Sequence, residues 1–170
     1  TFIELNPENV AGAFREEFKK LITDEFTSGK HLLIKDPRMC VLLPFWKIVF
    51  AELNLKPVYL LISRNPEEVK ASLKKRDFLS FQDSEELWLY YNLCAELNTR
   101  GEKRLFISYE DLLEDPPQTV NRIKKLFPFL SGHIPKMGET ITQSIEPGLR
   151  HNHSSEKPSL FSEEATRLFF

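Results

Sequence analysis

The sequence is short of cysteine, glycine and net charge, and each shortage removes a class of protein. Only Cys40 and Cys94 are present, in no CxxC spacing. A disulfide framework and a zinc ribbon are therefore excluded, and both thiols, in apolar context, read as small buried hydrophobes. Glycine occurs six times, and the eleven prolines form no tract. Collagen, a Gly/Ser linker and wholesale disorder are excluded as well. Lys and Arg number 23 against 25 Asp and Glu, for a net charge of −2. Coating nucleic acid or an anionic membrane requires a basic surplus, so no nucleic-acid partner is expected, although a small basic pocket is allowed. No apolar run reaches the roughly 18 residues of a membrane span. The longest, Met39 to Leu53, is broken by Pro44, Lys47 and Glu52. No signal peptide opens the chain, and a cytoplasmic location is expected.

What is present is material for a core: 41% hydrophobic residues, 14 of the 170 being Phe. That suits one domain spanning 1–170. Asn6-Pro7-Glu8 has the cap, proline and acid of a helix start, and Val10, Phe14, Phe18, Leu21, Ile22 and Phe26 recur at helical spacing up to Ser28-Gly29. His31 to Ile34 reads as a short strand buried on both faces and ended by Asp36-Pro37. Val41 to Leu53 reads as a buried helix.

Pro57 to Ser63 is the clearest strand, and Asn65-Pro66-Glu67-Glu68 opens a helix to about Lys75. A longer helix spans about Asp83 to Thr99, with Leu87, Tyr91, Cys94 and Ala95 on one face, and Gly101 closes it. Arg104 to Ser108 is a third strand, followed by a helical turn from Tyr109 to Leu113. Asp115-Pro116 caps another helix with Val120, Ile123 and Phe127 as its stripe. From Pro128 to Ser159 the pattern is loop-like, and Glu163 to Phe170 reads as a last short helix. This alternation implies parallel strands joined by crossover helices, an α/β fold.

Ligands of open parallel sheets bind beyond the carboxyl ends of the strands. The three predicted strands are followed by Lys35-Asp36-Pro37-Arg38, Arg64-Asn65-Pro66 and Tyr109-Glu110-Asp111. Cations at two of these ends, in a chain without excess positive charge, point to an anion such as phosphate or sulfate. The helix after Arg64 adds a positive dipole end and free N–H groups. Ser72 and Arg76, four apart, share one helix face, so Arg64, Ser72 and Arg76 could converge on one phosphate. The plainer reading leaves Arg76 as a solvated helix-end cation and Ser72 as a surface residue. His151-Asn152-His153 lacks the further ligands of a metal site and reads as a loop. Trp46, Trp88, Tyr90 and Tyr91 read as core or groove aromatics.

In order along the chain, Lys35-Asp36-Pro37-Arg38, Arg64-Asn65-Pro66 with Ser72 eight residues after Arg64, and Ser108-Tyr109-Glu110-Asp111-Leu112-Leu113-Glu114-Asp115-Pro116 resemble the sulfotransferase family. The likeness is to its bacterial-type and tyrosylprotein-sulfotransferase-like branch. It runs from about Leu32 to Phe127 and weakly on through Pro147 to His151. The resemblance implies a partial P-loop-NTPase-like three-layer α/β/α domain with a parallel sheet. It implies transfer of a sulfuryl group from 3′-phosphoadenosine 5′-phosphosulfate (PAPS) to an acceptor hydroxyl, without a metal. Arg64 and Ser72 would hold the 3′-phosphate, with Arg76 and Tyr109 as further contacts of the nucleotide. Lys35 would reach the sulfuryl group, and the loop around Arg150 would fold over the nucleotide.

The family's phosphosulfate loop, of the type Pro-x-Ser-Gly-Thr-Thr, has no counterpart: none of the six glycines lies in a Ser/Thr-rich loop between strand and helix, and no G-x-x-x-x-G-K-[ST] exists. The expectation is that an N-terminal part of the domain lies outside this sequence or that a second chain supplies it. Asp36 is the candidate base, although Lys35 and Arg38 beside it would lower its pKa, and a structural pairing with Arg38 competes. The class of the acceptor is open. The alternative function is a non-catalytic sulfotransferase-like scaffold or interaction domain. A small-molecule kinase would need a P-loop and metal-binding carboxylates that the sequence does not show.

Overall fold

The computed structural model describes residues 7–26 and 31–129, with side chains from Phe14 onward. Asn6, Ser28-Gly29, the stretch from residue 130 including Arg150, His151 and His153, and the expected last helix lie outside the described residues. The chain divides into two compact units, Thr1–Pro57 and Val58–Phe170.

In the first unit, helices α1 (Pro7–Glu25) and α2 (Met39–Glu52) pack together. Phe18 meets Phe45 and Trp46 edge-on at 5.6 and 4.9 Å, and Trp46 stacks on Phe50 at 5.6 Å. Ile22, Leu43, Val49 and Phe50 are buried, and Arg15 and Lys19 both reach Glu52, at 3.4 and 3.2 Å. α2 continues through Pro44, so the apolar burial of this helix outweighs the backbone bond that proline cannot make.

His31–Ile34 is not the strand its apolar run suggests. It joins no ladder, and Leu33 is 90% exposed. Burial alternates along it, with Leu32 and Ile34 half-buried and His31 and Leu33 out. A strand needs a neighbouring strand for its ladder, and among the described residues no strand lies in register with this segment.

In the second unit, β1 (Tyr59–Ser63) and β2 (Arg104–Ser108) pair in parallel, from Tyr59 opposite Arg104 to Ser63 opposite Ser108. The described sheet thus has two strands, not three. The crossover between them is α3 (Pro66–Asp77) and α4 (Phe81–Thr99), and after β2 come α5 (Tyr109–Glu114) and α6 (Pro116–Leu126). The fold is mixed helix and parallel strand.

Caps set these boundaries. The Asn65 side chain accepts from Glu67 N at 2.9 Å with Pro66 in the first turn, and Ser80, Ser108 and Asp115 do the same for α4, α5 and α6. α3 ends on Phe78 at φ 56°, a left-handed position that glycine occupies at less cost.

The buried side chains of α4 are Ser84, Trp88 and Thr99, while Leu87 of the expected stripe is exposed and Tyr91, Cys94 and Ala95 are half-buried. Ser84 and Thr99 bury hydroxyls by donating to the carbonyls of Ser80 and Ala95, at 2.7 and 2.6 Å. Small polar residues satisfied in this way face the core without contributing to an apolar pattern. Val120 of α6 is buried as its stripe predicts, while Ile123 and Phe127 are half-buried. Among the described residues, no helix is long and apolar enough to cross a membrane.

Candidate functional site

The ladder brings Ser63 and Ser108, the last residues of two parallel strands, side by side. The residues that follow them form one cluster. Arg64 turns back onto α3, where its Nε donates to Glu68 Oε2 at 2.9 Å. Its Nη2 lies 2.9 Å from the same oxygen. Glu68 is fully buried and Arg64 is 27% exposed. The guanidinium also lies over the Tyr109 ring, 4.8 Å from its centre, a cation–π contact linking the ends of β1 and β2.

Backbone groups lock the cluster. Trp88 Nε1 donates to the Arg64 carbonyl at 3.0 Å, and the Asn65 N–H donates to Glu110 Oε1 at 3.1 Å. The α3 N-terminus is therefore partly satisfied from within, by Asn65 at Glu67 N and by its own acids Glu67 and Glu68 in the first turn. Glu67 pairs with Lys70 at 2.7 Å.

Two polar atoms in this cluster lack a well-aligned hydrogen bond. Ser63 Oγ and Arg64 Nη2 are buried and make no hydrogen bond to the described protein. Nη2 sits within ion-pair distance of Glu68 but shares Oε2 with Nε, and only Nε donates along a good line.

The other candidates lie elsewhere. Glu68, Ser72 and Arg76 form one i, i+4 row along α3 that runs from buried through half-buried to exposed. Arg76 closes on its neighbour Asp77, with Nε 3.0 and 2.9 Å from the two carboxylate oxygens, and its side chain is 71% exposed. Asp77 holds the Arg76 pKa above its ordinary value, and Arg76 holds that of Asp77 below. At about 1.5 Å per residue, Arg76 lies about 15 Å along the helix from Pro66. The structure joins Arg64 to Tyr109 and does not draw Arg76 to them.

In the first unit, Lys35 is exposed and Asp36 half-buried. Asp36 Oδ1 accepts from the Arg38 N–H at 2.8 Å and from its Nε at 3.0 Å, and Oδ2 from Nη2 at 2.7 Å. These bonds pull the Asp36 pKa down to about 2. A carboxylate so held is a poor proton acceptor near neutrality, so the geometry favours the turn-forming role over the role of base. Arg150 lies outside the described residues.

Sequence reasoning passed over Ser63 and Glu68. The signal for Glu68 was its i+4 spacing from Arg64, and that for Ser63 was its place at the carboxyl end of the clearest strand. Among the described residues, no three His, Cys, Asp or Glu side chains group to hold a metal ion. No family model matches the chain, and no curated protein or solved structure matches it either.

Proposed function

We propose that the chain is the 3′-phosphate-binding part of a PAPS-dependent O-sulfotransferase, built on a partial P-loop-NTPase-like α/β/α domain. The observation that supports this reading is the Arg64 guanidinium over the Tyr109 ring, where the paired strands β1 and β2 end side by side. Arg64 would bind the phosphate, and Tyr109 would fix the guanidinium plane. Ser72 sits further along α3 as a secondary contact. Arg76 contributes only by exchanging Asp77 for the nucleotide. A role for Lys35 at the sulfuryl group rests on the resemblance alone.

When bound, PAPS supplies the sulfuryl group: the acceptor oxygen bonds to sulfur, the sulfur–oxygen bond to the 5′-phosphate breaks, and its electron pair stays on that phosphate oxygen. A cation near the breaking bond lowers the barrier by meeting the charge that develops there. With Asp36 held by Arg38, the acceptor proton passes to another base or to water. A cytoplasmic setting belongs to this proposal.

Calorimetric titration with 3′,5′-adenosine bisphosphate, the desulfated nucleotide, tests the reading. Binding that weakens about ten- to a hundredfold in Arg64→Ala is the expected outcome, the value of one charge-assisted contact. A second reading, a non-catalytic scaffold, draws support from the internal partners of the same residues: Glu68 on Arg64, Asn65 on α3, Glu110 on Asn65. No nucleotide binding, with Arg64→Ala lowering only stability, selects the scaffold.

A further inference from the structure

The turn between α3 and α4 presents two phenylalanines to solvent: Phe78 is 91% exposed and Phe81 51%. Phe78 ends α3 at φ 56°, a conformation that glycine adopts at less cost. Its ring is thus held out where neither backbone geometry nor packing favours it. Phe81 opens α4 three residues on, next to the Ser80 cap.

Cations gather on the same turn. Lys74, Lys75 and Arg76 form the end of α3, and all three are exposed. Lys74 Nζ lies 4.4 Å from the centre of the Phe81 ring, which places an ammonium beside the aromatic tip. Asp77 offsets Arg76, with 2.6 Å between them. Further along α4, Asp83 faces the Ser80 hydroxyl and Glu86 accepts from Gln82. From Lys74 to Phe81 the chain carries three cations and one acid, a local positive surplus in a protein of net charge −2.

We propose that this turn is a membrane-docking surface, which inserts Phe78 and Phe81 among the headgroups of an anionic bilayer and sets Lys74 and Lys75 on the lipid phosphates. The exposed ring area is about 300 Å². A protein partner, or a second copy of this chain, needs about 800 Å² on each side with fitted packing. A bilayer needs no complementary shape: it takes a small apolar wedge and holds it through the cations around it. Lysine suits that place, because its hydrocarbon stem lies along apolar surface while its ammonium reaches the phosphates. The acidic balance of the whole chain does not oppose this, since charges more than about 8 Å from the surface are screened at physiological salt. The tip stands apart from the cluster at Arg64, about 18 Å along α3 from Pro66, so docking does not depend on nucleotide binding.

Flotation of the 170-residue chain with vesicles tests this, using phosphatidylcholine alone and an equimolar mixture of phosphatidylcholine and phosphatidylserine. The chain should partition onto the mixed vesicles at least tenfold more strongly than onto phosphatidylcholine, and less so as salt rises. Phe78→Gly suits the left-handed position, so the melting temperature should stay within a few degrees while partition weakens about ten- to a hundredfold, the value of one buried phenyl ring. Lys74→Gln and Lys75→Gln should each weaken it about fivefold. If Phe78→Gly does not fold, Phe78→Asn makes the same measurement, because asparagine also tolerates this backbone. Absence of flotation with the mixed vesicles, equal partition onto both vesicles, or partition that Phe78→Gly leaves unchanged overturns the proposal. So does a concentration-dependent dimer in sedimentation velocity that Phe78→Gly dissolves, which would assign the tip to a second copy.

Discussion

Lys35-Asp36-Pro37 and Arg64-Asn65-Pro66 are punctuated alike. Each follows an apolar run with a cation, a short side-chain acceptor and a proline, and each leads into a helix. Their structures diverge. The run before Arg64 is β1, with five residues in register with β2. The run before Lys35 has no ladder. The helix-opening residues differ too. Asn65 caps α3, and Arg64 finds a buried carboxylate one turn along it, at Glu68. Asp36 instead accepts from Arg38, two residues on, in an exposed local turn. The same punctuation thus serves as the floor of a buried cluster in one place and as a surface turn in the other. What separates them is long-range pairing: a strand partner for the apolar run and a buried counter-charge for the cation.

The largest test of this contrast is in the core. Ile107 of β2 is 1% exposed, directly opposite Ile62 of β1. Ile107→Ala should cost about 3 kcal/mol, through lost burial and the cavity left behind. Leu33→Ala, on the unpaired run, should stay within about 0.5 kcal/mol. Urea denaturation of both variants measures the pair. Equal losses would mean that residues 31–34 carry load like a strand and that the two runs are equivalent after all.

Next in size is the counter-charge. Glu68→Leu leaves Arg64 with a charge and no carboxylate in a largely enclosed site, and should destabilise by about 3 kcal/mol, the low end for a broken buried pair because Arg64 keeps some solvent. Adding Arg64→Met should recover a large part of that loss, since the cost lies in the uncompensated charge rather than in the missing bond. A double variant no more stable than Glu68→Leu would show that the cluster is held by Tyr109, Trp88 and Glu110 instead, and that the pair is incidental. In the first unit the corresponding change, Asp36→Ala, faces solvent and should be much milder.

Much of this architecture is legible from local chemistry. Asn65-Pro66 and Asp115-Pro116 mark α3 and α6 because a cap and a proline act within four residues of themselves. The pattern of β1 and β2 is equally local. The strand at His31–Ile34 could not be judged that way, because pairing depends on residues distant in sequence. The stripe of α4 misled for another reason: Ser84 and Thr99 are buried because their hydroxyls bond back to the helix, which no hydrophobic count registers. At the site, Arg64 stands out from its place after a strand. Its neighbour Tyr109, 45 residues on, becomes its partner only through the parallel register. Arg76 shared the helix row with Ser72, yet the acid next to it decides where its charge goes.

The smallest expected effect concerns the turn at Asp36. Its pKa is held at about 2, first by the Arg38 side chain and then by the Arg38 backbone N–H. An unfolded aspartate titrates near about 3.9. The folded value is the lower one, so folding favours the ionised form. The turn contributes fully above pH of about 4 and loses its contribution as pH falls through 2. Carbon-detected titration of the Asp36 carboxyl follows this directly. In Arg38→Ala the side-chain bonds go and the backbone bond stays, so the midpoint should rise from about 2 most of the way toward the ordinary value, with the global fold unchanged. A midpoint that does not move would place the source of the shift in the Arg38 backbone N–H or in Lys35. A midpoint rising well above 4 would return Asp36 to candidacy as a base, because a carboxylate with a raised pKa holds its proton closer to neutrality.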